Sequence, residues 1–130
     1  MPTTTLNVDA CLFDFDGCLS DSATPIVYAM DATLTGRGLR GIDLTEMGPY
    51  IGPPLLLSMK TILSDRGADP ADATEVVDEY RERFEEIAID MIGTCAGVPD
   101  LLEQRSGEVR LAVVTSKPAV FAEPLLDRLG

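Results

Sequence analysis

Phe13-Asp14-Phe15-Asp16-Gly17-Cys18-Leu19-Ser20-Asp21-Ser22 closes an apolar run formed by Val8, Ala10, Cys11, Leu12, Phe13 and Phe15. That run predicts a strand largely buried on both faces, as in a parallel α/β sheet. Ionised carboxylates at its end are costly unless something positive compensates them. A divalent cation is the simplest candidate, because Mg2+ takes oxygen ligands from one or two carboxylates and leaves room for water and a phosphate. Asp14 and Asp16, two residues apart, are expected on the same side of the strand. One carboxylate can then attack while the other moves protons. Gly17 supplies the backbone freedom for a sharp turn away from the strand end. A single Asp before Gly reads as an ordinary polar turn, but the whole stretch after an apolar strand does not.

A second stretch, Arg110-Leu111-Ala112-Val113-Val114-Thr115-Ser116-Lys117-Pro118, is another short apolar run, ending in hydroxyls and a cation. A helix can start at Pro118. Taken alone, Thr115 and Ser116 read as helix-capping hydroxyls. Paired with the first stretch they define two parallel strand ends, the crevice in which open α/β sheets bind ligands. The Thr115 hydroxyl, the Ser116 amide and the positive end of the next helix suit an anion, with Lys117 adding charge.

The pattern Asp-x-Asp-Gly-x-Leu-x-Asp-Ser resembles the first motif of the haloacid dehalogenase superfamily, in its phosphatase branch. Thr115-Ser116-Lys117-Pro118 resembles the second motif, and Tyr50-Ile51-Gly52-Pro53-Pro54-Leu55 resembles the cap loop of phosphoglycolate phosphatase and 5'-nucleotidase-like members. The resemblance runs from about Val8 to Gly130. It implies a Rossmann-like parallel-sheet core, incomplete in this chain, with an inserted helical-bundle cap. It also implies a Mg2+-dependent phosphatase acting on a small phosphorylated metabolite, of the phosphoglycolate or nucleoside monophosphate type, through an aspartyl-phosphate. By the same resemblance Asp14 is the nucleophile and Asp16 the general acid and base. Both contribute to the metal site, while Gly17, Thr115, Ser116, Lys117, Gly52 and Pro53 bind phosphate or substrate. Dehalogenases carry Tyr and phosphonate hydrolases Ala at the place of Asp16, which points to phosphate esters. A β-phosphoglucomutase-like phosphomutase and a non-catalytic degenerate interaction module are the alternatives.

Composition narrows the chemistry further. Ten basic residues against 22 acidic give a net charge of -12, which repels nucleic acid and anionic membrane and makes both unlikely partners. The chain has no histidine, which excludes Ser-His-Asp and Cys-His machinery and leaves carboxylates as acid and base. Cys11, Cys18 and Cys95 are odd in number and lack metal-like spacing, as expected of reduced thiols in a cytoplasm. Cys11 reads as core. No leader and no membrane-length apolar run are visible.

Along the chain, residues 1–19 carry the first strand and the nucleophile loop, 20–92 the helical cap, and 93–130 the returning core. Asp21 or Ser22 is expected to cap a helix that ends near Gly36. A short helix at Leu44 and Met47 is expected before the Gly52 turn, then a helix from Leu55 that stops at Gly67. The longest helix starts at Asp72 or Thr74 and ends at Met91, with Val76, Val77, Tyr80, Phe84, Ile87 and Met91 as its apolar stripe. Arg81 and Lys60 could reach a substrate, but a solvated helix face is the preferred reading of both. Residues 93–97 read as a hinge, and Pro124 interrupts the last helix. No match to the family's third-motif lysine or its acidic fourth motif is found. The 130-residue chain is therefore expected to be the N-terminal part of a longer phosphatase, with little activity alone. Its first strand would offer an open edge for self-association.

Overall fold

The computed structural model describes residues 7–130. Residues 1–6, with the start of the 1–19 segment and the expected absence of a leader, lie outside the described residues. The elements follow as β1 (Ala10–Phe13), β2 (Ser20–Asp21), α1 (Ala23–Gly36), α2 (Leu44–Met47), α3 (Leu55–Asp65), α4 (Ala73–Met91), β3 (Gly93–Thr94), α5 (Val98–Arg105), β4 (Arg110–Val113) and α6 (Ala119–Leu129). Short 3-10 turns at Gly48–Tyr50 and Pro70–Asp72 lead into α3 and α4.

β1 and β4 pair in parallel, with Ala10 opposite Arg110 and Phe13 opposite Val113. The Val114 amide donates to the Phe13 carbonyl at 2.8 Å, which extends the pairing to the strand ends. The two motif-bearing strands are thus direct neighbours, as the sequence implied. β2 and β3 form a separate antiparallel ribbon, Ser20 opposite Thr94 and Asp21 opposite Gly93. The segment read as a hinge is therefore hydrogen-bonded to the chain leaving the first motif. The ribbon sets the two ends of the 20–92 segment side by side.

Most of the buried core lies among the helices. Met30 and Leu34 of α1, Met59, Ile62 and Leu63 of α3, and Val76, Tyr80 and Phe84 of α4 are buried together. The predicted stripe of α4 holds for most of its length. At its end Met91 turns outward, 39% exposed, and Ala88 takes the inward place. Arg37 ties the C-terminal end of α1 to α4 through Glu75 and Glu79 at 2.6 and 2.8 Å. Arg66 is nearly sealed, with a side chain 1% exposed. It donates to the Arg40 and Gly41 carbonyls at 2.7 and 2.8 Å and to the Glu46 carboxylate at 3.0 Å.

The expectation that the first strand is buried on both faces is corrected. Leu12 is 68% exposed and Val8 48%, while Cys11 and Phe13 are half-buried. The reason is geometric: β1 has one strand neighbour among the described residues, and one of its faces carries no covering element. Cys11, read as core, shares that partial cover. Pro124 sits inside α6, whose helix nevertheless runs from Ala119 to Leu129.

Candidate active site

β1 stops at Phe13, so both carboxylates stand in the loop beyond it, and the alternation that would align them on a strand does not apply. Phe15, fully buried, anchors this loop. Its carbonyl accepts the amides of Cys18, Leu19 and Ser20, and the Gly17 amide donates to the Ser20 carbonyl at 2.9 Å. Gly17 has φ +75°, a region where a side chain is strained, which confirms the turn assigned to it. The Asp16 carbonyl takes none of these bonds.

The two carboxylates have different surroundings. Asp14 is exposed, and its Oδ1 accepts its neighbour's amide, Phe15 N–H, at 2.7 Å. Asp16 is held from both sides. Its Oδ1 accepts the Ser22 hydroxyl at 2.7 Å, and its Oδ2 lies 3.3 Å from the Lys117 ammonium. Ser22 occupies the N-cap position of α1, yet its side chain makes no capping bond. That hydroxyl, expected to cap the helix, fixes Asp16 instead.

Lys117 reaches across from the end of β4. Its side chain is 13% exposed, and its ammonium also lies 4.7 Å from the centre of the Phe84 ring on α4. The Thr115 Oγ1 accepts the Lys117 amide at 3.1 Å, which folds the segment after β4 into a tight turn. Ser116 donates its hydroxyl to the Gly52 carbonyl at 2.8 Å. That bond joins the second motif to the Gly52-Pro53-Pro54 loop of the helical region.

These parts border a half-open cavity of about 250 Å³. Of the residues singled out in the sequence, Asp16, Ser116, Lys117, Gly52 and Pro53 line it. Asp14, Gly17 and Thr115 are not in its wall. Asp14 and Thr115 follow the paired strand ends, and Gly17 lies in the turn beyond. The far wall comes from the helices: Tyr50, Tyr80, Phe84 and Phe121 bring aromatic surface, and Arg81 brings a cation. Tyr80 and Phe84 stack with ring centres 5.8 Å apart. Burial, and secondarily the Asp16 charge, push the Tyr80 hydroxyl above its ordinary range, so it stays neutral near pH 7.

Arg81 was assigned to a solvated face, and the structure corrects that: it lines the cavity, its guanidinium 5.1 Å from the Phe121 ring centre. The available sequence signal was its place beside Tyr80, on the flank of the α4 stripe. Lys60 is exposed and does not line the cavity, in keeping with its assignment.

A divalent cation is compatible with this donor set. One exposed carboxylate at Asp14, the Asp16 carboxylate and an Asp16 carbonyl outside the loop's hydrogen bonds make a small all-oxygen group, and Mg2+ characteristically keeps several waters. No cluster of three His, Cys, Asp or Glu side chains suited to a metal occurs among the described residues.

Comparison with known proteins agrees with this geometry. The chain is 38% identical over 115 residues to a 5'-nucleotidase of Pseudomonas aeruginosa, covering 88% of this chain and 51% of that protein. It is 32% identical over 125 residues to a phosphoglycolate phosphatase of Xanthomonas campestris, covering 93% and 54%. Among solved structures, a haloacid dehalogenase-like hydrolase from Streptococcus pneumoniae superposes with a TM-score of 0.84 at 29% identity, over 94% of this chain and 56% of that one. The chain spans about half the length of the curated relatives it matches. The family model of haloacid dehalogenase-like hydrolases matches residues 11–130, and with the paired motif strands and the cavity at their ends this establishes that the chain belongs to that family.

Proposed function

We propose that the protein carrying this chain is a Mg2+-dependent phosphatase that hydrolyses a small phosphate monoester through an aspartyl-phosphate, with residues 20–92 acting as the cap over the site. The observation that carries this reading is the position of Asp16. It lines a half-open cavity beside a lysine, two residues after an exposed aspartate at the end of the motif strand. The names of the relatives, a 5'-nucleotidase and a phosphoglycolate phosphatase, support a substrate of metabolite size. Three free cysteines support a reducing compartment such as the cytoplasm.

In this mechanism the Asp14 carboxylate attacks phosphorus, and the ester oxygen leaves with a proton from Asp16. The Asp16 carboxylate then takes a proton from water as that water attacks the phosphoryl-enzyme, which restores both residues. Ser22 holds the Asp16 side chain in one orientation throughout. Lys117 pairs with the Asp16 carboxylate in the empty site; as substrate enters, its ammonium turns to the phosphoryl oxygens, and Asp16 takes up from water the proton that it then gives to the ester oxygen. The turn made by Thr115 and the amide of Ser116 contribute donors on the other side. Asp14 and Asp16 would hold Mg2+, which neutralises charge on the transferring group. Ser116, bonded to Gly52, keeps the cap loop against the core and limits the entry of water.

The test is phosphate release from p-nitrophenyl phosphate by the full gene product that carries this sequence, with and without Mg2+. Release should need the metal and fall by at least about 1,000-fold in Asp14→Asn, since a covalent nucleophile has no substitute here. Turnover that persists in Asp14→Asn sinks the covalent mechanism, and phosphoryl transfer to a sugar hydroxyl without phosphate release sinks the hydrolase.

A further inference from the structure

Arg81 stands apart from the other buried or half-buried arginines of this chain. Arg37 and Arg66 each meet a carboxylate at 3.0 Å or less, and Arg66 also binds two backbone carbonyls. Arg81 lies 3.8 Å from Asp78, beyond hydrogen-bond length, although the chain carries 22 acidic residues. Its side chain is 35% exposed, in the wall of the cavity, with the Phe121 ring beneath the guanidinium. A contact with a ring face holds the charge without using its N–H donors. The cavity's other cation, Lys117, is matched by Asp16. Arg81 has one carboxylate within 4.0 Å, Asp78, and makes no hydrogen bond to it, so its N–H donors are unused among the described residues.

We propose that Arg81 binds a second anionic group on the alcohol portion of the substrate, so that the site prefers small phosphate monoesters bearing a carboxylate or a second phosphate. This rests on the phosphatase reading above. A guanidinium with free donors recognises planar or tetrahedral oxyanions in pairs of hydrogen bonds, which a neutral hydroxyl tail cannot reproduce. The small cavity places that anion on the same molecule as the phosphoryl group. The aromatic walls lower the local dielectric and strengthen the contact.

A matched pair of substrates tests it: 3-phosphoglycerate and sn-glycerol 3-phosphate differ in a carboxylate against a hydroxymethyl group. In the full gene product, kcat/KM should favour the carboxylate. That preference should fall about 10-fold to 100-fold in Arg81→Gln, chiefly through KM, and by less in Arg81→Lys, which keeps the charge but not the paired donors. 1,3-Propanediol bisphosphate separates a phosphate-selective from a carboxylate-selective site. A wild-type ratio at or below one for both anionic tails, or a ratio unchanged within about twofold in Arg81→Gln, overturns the proposal. Should neither these esters nor p-nitrophenyl phosphate be hydrolysed, the phosphatase reading falls. Calorimetric binding of the same pair then decides Arg81 separately: loss of the anionic preference in Arg81→Gln upholds its role, and equal binding removes it. Thermal melting guards the comparison, and if Arg81→Gln unfolds, the same criteria apply to Arg81→Lys.

Discussion

The helical region and the two-stranded sheet satisfy their apolar surfaces to different degrees. Between Ala23 and Met91, Met30, Leu34, Met59, Ile62 and Val76 are fully buried in one cluster drawn mostly from the same stretch of sequence. On β1 and the end of β4, Leu12 and Val114 are 68% and 60% exposed. An amphipathic helix needs one apolar face covered, and α1, α3 and α4 largely do that for one another. A strand in a parallel sheet carries apolar groups on both faces and needs helices on each. The lesson is that the helical region buries its apolar faces largely among its own helices, whereas the motif strands depend on whatever covers them.

The largest expected effect is in the bundle. Leu34→Ala should cost about 2–5 kcal/mol in urea denaturation, as a fully buried leucine leaves a cavity. Leu12→Ala should cost less than about 0.5 kcal/mol in the same chain, because little is buried there to lose. Equal costs would erase the contrast between the regions.

A smaller effect is expected where the regions meet. Lys117 joins Asp16 of the core loop to the Phe84 ring of α4, with both charged side chains mostly shielded. Lys117→Met keeps the stem but leaves Asp16 with Ser22 alone, and should lower stability by about 1–3 kcal/mol. The loss should diminish in Asp16→Asn/Lys117→Met, since the uncompensated charge is then gone. A double-mutant cycle with no coupling would mean that the two regions are not joined through this pair.

The smallest effect is electrostatic and lies within the bundle. The hydrogen bond from Arg37 holds Glu79 below its ordinary carboxyl value of 4.5, against the opposing effect of burial. A carboxylate with a depressed folded value stabilises the fold above about pH 4.5, and that contribution disappears as pH falls through the folded value. The pair is partly open to solvent, so it should be worth only about 0.3–1 kcal/mol. Melting curves of the wild type and Glu79→Gln should therefore differ near pH 7 and converge at strongly acidic pH. A difference that grows on acidification would reverse the assigned sign.

Much of this molecule was legible in the residues themselves. The motif strand, the glycine turn at Gly17 and the stripe of α4 follow from local chemistry: apolar runs, φ freedom and a 3.6-residue period. The parallel adjacency of the two motif strands was implied by the resemblance of both runs to one family's motifs, since neither run alone fixes its neighbour. Other features were out of reach because they depend on residues far apart in sequence. The bond from Ser116 to Gly52 spans 64 positions, and the ring beneath Arg81 belongs to a helix that begins 38 residues later, at Ala119 (119 - 81 = 38). Ser22 has the sequence of a helix cap, and only the folded loop gives its hydroxyl to Asp16. Composition and periodicity determine which segments bury a face and where chemistry is concentrated. The tertiary structure alone decided which hydroxyl, cation and ring share a wall, because those choices are made by distances between elements.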